Sequence, residues 1–282
     1  MAKKLIPMAI AYDFDGTLAP DNMQEHRFLP DIKMKPKAFW AEAKRLTKEQ
    51  QGDEVLIYMN LMLKKADAAD VPVRREDFKA YGRTIELFEG VPGWFDRITA
   101  YGRTRGVKVE HFLLSSGNAE IIAGTPIAKK FKMIYASKFM FDANDRAQWP
   151  ALAVNFTTKT QYLFRINKDA HDLSDSKKVN QVVAKGKRPV PFENMVFIGD
   201  GSTDIPCFSL LKNQGGLSVA VYKPHTPGAG NKAKGFLDSG RVHCAVPAIY
   251  TEDSDLDRIV KARIDMLAAR ANLASLVTEV PG

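Results

Sequence analysis

The chain is poor in cysteine, with only two residues of this type, Cys207 and Cys244, among its 282 amino acids. Neither has a partner at the spacing of a zinc site, and a single pair gives little basis for a disulfide framework. A reduced cytoplasm is therefore the expected compartment. Their scarcity also excludes the class of small secreted proteins that disulfides hold together.

The sequence also lacks long apolar runs. No stretch approaches the roughly 20 residues that span a bilayer, so a membrane is not an expected partner. The short apolar run after the basic residues 3–4 is interrupted by Asp13 and Asp15 and has no small-residue cleavage site. This pattern is not that of a signal peptide.

Internal repeats, low-complexity tracts, zinc-finger signatures and RNA-recognition signatures are likewise missing from the sequence. The formal net charge is +8, but the lysines and arginines are spread along the chain. A dispersed positive surface can steer anionic substrates without forming a nucleic-acid binding stripe. The expected partner is therefore a small anionic molecule, with nucleic acid disfavoured.

Two acidic residues follow the first apolar run of the chain. Residues 6–11 are apolar, and Asp13 and Asp15 follow in the string Tyr12-Asp13-Phe14-Asp15-Gly16-Thr17-Leu18. Side chains two apart lie on the same side of an extended chain, so these like charges repel unless a cation or a retained proton intervenes. Such a pair suits an oxygen-liganded Mg²⁺, with one carboxylate left free as a nucleophile.

Polar clusters follow two further apolar runs. The run at 195–198 leads into Gly199-Asp200-Gly201-Ser202-Thr203-Asp204, and the run at 107–114 leads into Ser115-Ser116-Gly117-Asn118. Ligands in open α/β sheets bind beyond the carboxyl ends of the strands. The three clusters are therefore expected to meet in one crevice, although they lie far apart in sequence.

These motifs resemble those of the haloacid dehalogenase-like superfamily of phosphohydrolases. The segment 13–18 resembles its first motif, 113–117 its second and 199–204 its fourth. The resemblance implies an α/β fold with a doubly wound, mainly parallel, Rossmann-like sheet and an inserted helical cap. A hairpin expected after residues 139–141 is similar to the phosphoserine phosphatase branch.

The resemblance also implies a role for each motif residue. It makes Asp13 the nucleophile that forms an aspartyl phosphate, and Asp15 the general acid and base. Family branches that cleave carbon–halogen or carbon–phosphorus bonds lack this second acid, so Asp15 favours phosphate esters. Mg²⁺ is expected on Asp13, on the backbone carbonyl of Asp15 and on Asp200, with Asp204 in support.

The phosphate-binding residues are less sharply defined by the sequence. The motif lysine is expected to be Lys159, in the first turn of a helix predicted to start near Thr158, with Lys177 and Lys178 as rivals. In the second motif Ser115 directly follows the apolar run, while Ser116 remains open if the strand is one residue longer. Gly117 completes the expected phosphate-binding set.

Residues 20–105 are expected to form the helical cap, with 1–19 and 106–282 as the core. The predicted elements of this insert are helices, at 36–51, 53–69 and 75–88, and a fourth at 94–101 that returns to the core. The expected function is a Mg²⁺-dependent phosphomonoester phosphatase acting on a small soluble substrate. A phosphomutase or phosphotransferase, a nucleic-acid-end phosphatase and an inactive binding module are the alternatives.

Overall fold

The computed structural model describes residues 5–278, which form one seven-stranded sheet flanked by helices. Its strands follow the order β4-β3-β2-β1-β5-β6-β7, and all neighbours are parallel except the antiparallel pair β3 and β4. This confirms the predicted doubly wound, mainly parallel sheet. The strands are β1 Ile6–Tyr12, β2 Val107–Asn118, β3 Met133–Phe141, β4 Ala147–Leu152, β5 Met195–Gly199, β6 Leu217–Tyr222 and β7 Cys244–Pro247.

Twelve α-helices accompany the sheet in the described part of the chain. They are α1 Met23–His26, α2 Phe28–Asp31, α3 Pro36–Gln50, α4 Glu54–Ala68, α5 Arg75–Gly82, α6 Val91–Thr104, α7 Ala119–Ile122, α8 Phe156–Asn167, α9 Ser176–Asn180, α10 Ile205–Asn213, α11 Ala229–Asp238 and α12 Asp255–Thr278. Among them, none is both long and apolar enough to cross a bilayer.

Helices cover both faces of the sheet, as a parallel sheet requires. On one face, α6 and α12 pack against alternate β1 residues such as Met8 and Ile10. On the other face, α8, α10 and α11 enclose Ala9, Ala11 and Phe197. The central strand β1 is thus buried on both sides, and its carboxyl end carries the first acidic pair.

Helices alone make up the insert between β1 and the second strand, as predicted. Residues 20–90 contain α1 to α5 and no strand of the sheet. Helix α6 packs against β2 and α12, in keeping with a helix that returns to the core. The predicted cap range, 20–105, includes α6 together with α1 to α5.

Several strands and helices begin or end at residues other than those predicted. Strand β2 continues through the second motif to Asn118 because Ser115 and Asn118 still pair with β3. Helix α5 ends at Gly82, where a side chain would collide with the carbonyl oxygen of Ile121 in α7. The close approach requires a glycine at this position, and the helix is shorter than the predicted 75–88.

The predicted hairpin is present as β3 and β4. Its turn depends on Asp142, whose Oδ1 accepts hydrogen bonds from the backbone N–H groups of Asn144 and Arg146 at 2.9 Å. Asp142 is therefore a turn former.

Candidate active site

The three polar clusters meet at the carboxyl edge of the sheet. Strands β1, β2 and β5 are neighbours, and the residues that follow or end them open into one cleft of about 290 Å³. The predicted site residues that line it are Asp13, Asp15, Ser115, Ser116, Gly117 and Asp200. The expected convergence of the three motifs is therefore observed.

Asp13 lies at the base of this cleft, with only 6 % of its surface exposed. Its Oδ1 accepts a hydrogen bond from the backbone N–H of Phe14 at 2.8 Å and lies 3.1 Å from Lys159 Nζ. Burial, together with the nearby Asp204 carboxylate, raises the pKa of Asp13 to about 7, although Lys159 acts in the opposite direction. The carboxylate is thus oriented by two donors and held in a crowded acidic environment.

Asp15 occupies a different environment from Asp13. Its Oδ1 accepts a hydrogen bond from the backbone N–H of Met23 at 2.9 Å. Burial and the charge of Asp13 raise the pKa of Asp15 well above its usual value. A carboxyl that keeps its proton near neutrality can act as a general acid.

Two glycines allow the acidic loops to approach each other. Gly16 has φ of +72°, and a Cβ there would lie 2.5 Å from Asp200 Cγ. A Cβ on Gly117 would lie 3.1 Å from Asp15 Oδ2 and would also collide with Met23. Larger residues at either position would therefore push the three motifs apart.

Asp204 is fully buried, and both of its oxygens are already bonded. Its Oδ2 accepts hydrogen bonds from the backbone N–H groups of Asp200 at 3.1 Å and Gly201 at 3.0 Å. Its Oδ1 accepts a 2.5 Å hydrogen bond from Lys159 Nζ. Asp204 therefore shapes the loop of the fourth motif and orients the lysine.

Asp13, Asp200 and Asp204 together offer a set of hard oxygen donors. One ligand atom from each lies within 4.8 Å of the others. Burial and Asp204 raise the pKa of Asp200 to about 6. Carboxylate oxygens at this separation suit Mg²⁺, and a dication would relieve the mutual repulsion that raises these pKa values. Because Asp204 is committed to other partners, Asp13 and Asp200 are the side chains with free oxygens.

Lys159 is the predicted lysine that the structure brings to the site. It is fully buried, and it extends from the first turn of α8 to Asp13 and Asp204. Burial lowers its pKa, but these two carboxylates outweigh burial and raise it above the usual value. The rivals Lys177 and Lys178 lie on the exposed helix α9, away from the cleft.

The start of α8 differs from the predicted one. The Asn155 backbone N–H donates to Thr158 Oγ1 at 2.8 Å, so Asn155 is the N-cap and Thr158 is the third helical residue. The expected start had Thr158 as the cap and Gln161 as its partner. Both arrangements place Lys159 in the first turn of the helix, so the three-residue error in the N-cap does not change this assignment.

The two serines of the second motif differ in their bonding. Ser115 is 1 % exposed, and its Oγ accepts a hydrogen bond from the Gly117 N–H at 2.9 Å. Ser116 lines the cleft, and its buried Oγ has no hydrogen-bond partner in the described part of the chain. Of the two serines, Ser116 is therefore the one with an unused hydroxyl.

Several residues of the cleft carried no motif in the sequence. Tyr58 donates from its hydroxyl to the Ser116 carbonyl oxygen at 2.7 Å, whereas Met59 and Met62 are buried core residues that do not line the cleft. Lys232 of α11 lies 3.6 Å from Asp200 Oδ2. The other cleft residues outside the motifs include Asn22, Gln24, Trp40, Glu54, Asn155 and Phe156. Glu54 and Tyr58 are four residues apart on α4, and this spacing could have indicated that they share a face of the helix. No comparable pattern in the sequence indicated Lys232.

Comparison with solved structures shows the same overall fold at low sequence identity. A hydrolase of the HAD family from Salmonella enterica serovar Typhi has 13 % identity and a TM-score of 0.55, over 92 % of this chain and 72 % of the other. A phospho-aspartyl intermediate analogue of phosphoserine phosphatase has 16 % identity and a TM-score of 0.52, over 91 % and 99 %. A substrate-bound phosphoserine phosphatase has 18 % identity and a TM-score of 0.52, over 91 % and 98 %.

Sequence comparison adds a relative and a family. An uncharacterized protein of Borreliella burgdorferi is 27 % identical over an alignment of 285 positions, and the match covers 91 % of this chain and 96 % of that protein. Residues 10–209, more than half of the chain, match the family model of the haloacid dehalogenase-like hydrolases. The match spans all three motifs that line the cleft, and the chain belongs to this family.

Proposed function

We propose that this protein is a Mg²⁺-dependent phosphomonoester phosphatase that forms an aspartyl phosphate on a small soluble substrate. The observation that carries the proposal is the pairing of Asp13 and Asp15 in unlike environments. Asp13 is buried beside Lys159, which stabilises its carboxylate, whereas Asp15 lacks a cationic partner among the described residues and has a strongly raised pKa. One carboxylate therefore suits nucleophilic attack and the other suits proton transfer.

The chain's own groups supply the steps of this reaction. An Asp13 oxygen attacks phosphorus, and Asp15 gives its proton to the leaving oxygen as the ester bond breaks. Asp15 then takes a proton from the water that attacks the aspartyl phosphate, and inorganic phosphate leaves. Ser116, through its unused hydroxyl, and Lys159 hold the phosphoryl oxygens, while Gly117 permits their close approach.

The donor set at the base of the cleft fits Mg²⁺. Asp13 and Asp200 would hold it with the backbone carbonyl of Asp15, and Asp204 would keep the loop and Lys159 in place. When bound, the ion would offset negative charge on the nucleophile and on the phosphoryl oxygens.

The helical insert is suited to the role of a cap. Tyr58 of α4 bonds the backbone of the second motif, and Gln24 donates to Asn118 Oδ1 at 2.8 Å. Insert residues therefore cover the cleft, and a cover of this kind excludes water and selects the substrate.

The limited cleft volume favours a small substrate over a nucleic-acid end. The unpaired state of Cys207 and Cys244 supports a cytoplasmic setting.

Hydrolysis of an aryl phosphate by the purified protein tests the proposal. Activity should require Mg²⁺, stop with a chelator and return when Mg²⁺ is added in excess. Full activity after chelation would contradict the metal requirement. A phosphomutase or phosphotransferase would instead return the phosphoryl group to an alcohol, so phosphate release with a sugar phosphate should be compared with isomer formation.

A further inference from the structure

The cleft extends beyond the phosphoryl end along one face of α4. Glu54 and Tyr58 are four residues apart, so they lie on the same face of this helix. Tyr58 contacts Ser116 at the phosphoryl end, and Glu54 lies one helical turn from Tyr58, towards the N-terminus of α4. Both side chains line the cleft, and Glu54 is exposed to it. A substrate bound through its phosphoryl group would direct its leaving group towards Glu54.

Aromatic rings form the walls of this outer part of the cleft. The rings of Trp40 and Tyr58 meet edge to face, with centroids 5.6 Å apart. The Trp40 Nε1–H donates to Glu25 Oε1 at 2.7 Å, which fixes the orientation of the indole. Phe156 completes the wall, with 43 % exposure and a φ of +37°. A bulky residue in this backbone region is strained, and such strain often marks a ligand site.

One residue that lines the cleft, Asn155, also carries a side-chain acceptor. Asn155 is 5 % exposed, and its Nδ2 donates to Asp53 Oδ2 at 3.3 Å. A carboxylate can only accept, so this contact fixes the orientation of the amide. The Asn155 Oδ1 is buried, and no described residue donates a hydrogen bond to it. A ligand that brings a donor or a positive charge would satisfy it.

Positive charge is scarce in this outer part of the cleft. Among the described residues that line the whole cleft, Lys232 is the one cation, and its Nζ lies at the acidic base, 3.6 Å from Asp200 Oδ2. A carboxylate on the leaving group would meet Glu54 and aromatic faces with no cation to pair with. An ammonium group would instead meet a carboxylate, an amide oxygen and aromatic rings, which are the groups that bind organic cations.

From this arrangement we propose that the preferred substrates are phosphate monoesters of small amino alcohols, with a cationic nitrogen and no carboxylate on the leaving group. The inference rests on the proposed phosphatase function and specifies its substrate class. The ester P–O bond breaks, Asp15 protonates the leaving oxygen, and water completes the release of phosphate. The products are the free amino alcohol and inorganic phosphate.

Two matched substrate pairs test the proposal. Phosphocholine and 3,3-dimethylbutyl phosphate have nearly the same shape and differ in the positive charge. Phosphoethanolamine and phosphoserine differ only in the carboxylate. We expect kcat/KM to be about tenfold higher for phosphocholine than for its neutral isostere, as a cation beside aromatic rings implies. It should also be roughly fivefold higher for phosphoethanolamine than for phosphoserine, because Glu54 repels the carboxylate.

Variants connect these preferences to the residues. Glu54→Gln should reduce the phosphocholine preference over the neutral isostere to less than about threefold, and Trp40→Leu should reduce it similarly. Glu76→Gln is the matched control, because Glu76 also lies in the first turn of a cap helix, α5, but outside the cleft. This control should keep the wild-type ratio and the wild-type rate with an aryl phosphate.

The outcomes separate the two proposals. Equal kcat/KM within both pairs, together with Mg²⁺-dependent hydrolysis of an aryl phosphate, would overturn the amino-alcohol class and leave the phosphatase function standing. A charge preference that survives in both Glu54→Gln and Trp40→Leu would also overturn the assigned subsite. Absence of hydrolysis with every ester, the aryl phosphate included, would refute the phosphatase function itself.

Discussion

The hydroxyl of Tyr58 donates a 2.7 Å hydrogen bond to the backbone carbonyl oxygen of Ser116. This bond joins a helix of the insert to the second motif, at the serine whose side-chain hydroxyl is unused. The Tyr58 side chain is 5 % exposed and its ring contacts Trp40. The position of the cap helix and the geometry of the phosphoryl-binding loop are therefore physically connected.

Tyr58→Phe removes this bond and keeps the ring. Loss of one buried hydrogen bond costs about 1 kcal/mol, so kcat/KM for alkyl phosphate esters should fall roughly fivefold. Turnover of an aryl phosphate should fall less, because its good leaving group depends less on contacts with the cap. Steady-state kinetics with both ester types measures the difference.

Tyr101→Phe is the matched control, since the Tyr101 hydroxyl donates to Asp265 Oδ2 at 2.8 Å outside the cleft. It should behave as the wild type with both esters. If Tyr58→Phe reduced the two activities equally, Tyr58 would act on the phosphoryl end or on packing, and not through the cap.

Removal of Lys159 should destabilise the metal-free protein. Lys159 is the one cation in contact with the buried carboxylates of Asp13 and Asp204 among the described residues. Lys159→Met leaves these charges uncompensated, which costs about 3–5 kcal/mol in free energy of unfolding. Urea denaturation in the presence of a chelator measures the loss.

Two further variants distinguish a charge effect from a packing effect. The double variant Lys159→Met with Asp204→Asn should recover part of the loss, because one charge goes and an acceptor for the loop N–H groups remains. Lys178→Met on the exposed helix α9 should change stability by less than about 0.5 kcal/mol. A single Lys159 variant as stable as the wild type would contradict this electrostatic role.

The fold and the acidic site were largely predictable because their signals are local. Asp13, Asp15 and Asp200 each follow a short apolar run, and the side at which parallel strands end determines that such residues meet. Lys159 could be assigned to the first turn of a helix for a similar reason, since that assignment tolerates an error of a few residues in the helix start. The C-terminal end of β2 was harder to predict from the sequence. The strand continues through Ser116 to Asn118 because it pairs with β3, and residue type alone does not indicate this pairing.

The outer cleft was not predictable in the same way. Trp40, Asn155 and Lys232 come from α3, the start of α8 and α11, and only tertiary packing brings them together. Nothing in their local sequence distinguishes them from ordinary surface or core residues. Met59 and Met62 show the converse, since a helical stripe that could have lined a pocket is instead buried in the core.

Mg²⁺ should stabilise the protein more strongly at higher pH. The pKa values of Asp13, about 7, and Asp200, about 6, exceed the ordinary value of 3.8. Between pH 3.8 and about 7, the metal-free folded state therefore holds protons that the unfolded chain has lost. Its stability falls as the pH rises through this interval. Mg²⁺ binds the deprotonated carboxylates, so its contribution increases over the same interval.

Thermal unfolding with and without Mg²⁺ measures this linkage. The increase in Tm caused by Mg²⁺ should be small near about pH 5.5 and should reach its full value near about pH 8, above both pKa values. Asp200→Asn should show little Mg²⁺-dependent stabilisation at either pH. A Tm increase that is the same at both pH values in the wild type would contradict proton competition at these carboxylates.

The two acids of the first motif should differ in how their loss affects the reaction. Asp13→Asn removes the nucleophile, so no phosphoenzyme should form and hydrolysis should be abolished. Asp15→Asn keeps the nucleophile but removes the proton donor and acceptor, which typically costs about 10²–10⁴-fold in rate. The leaving group of an aryl phosphate needs no proton, so this substrate should still phosphorylate Asp13 in the Asp15→Asn variant. The resulting aspartyl phosphate should then be hydrolysed slowly. A burst of the phenol product and a trapped phosphoryl adduct should therefore appear in this variant alone.

Acid quenching followed by intact-protein mass spectrometry detects the adduct, and rapid mixing detects the burst. Asp21→Asn is the control, because Asp21 is an exposed acid close to the motif and its φ of +59° is one that asparagine tolerates. It should retain wild-type turnover without accumulating an adduct. Near-normal hydrolysis by Asp13→Asn would exclude the covalent route. An adduct on Asp13→Asn would place the nucleophile elsewhere, whereas rapid turnover by Asp15→Asn with alkyl esters would remove Asp15 from the proton-transfer steps.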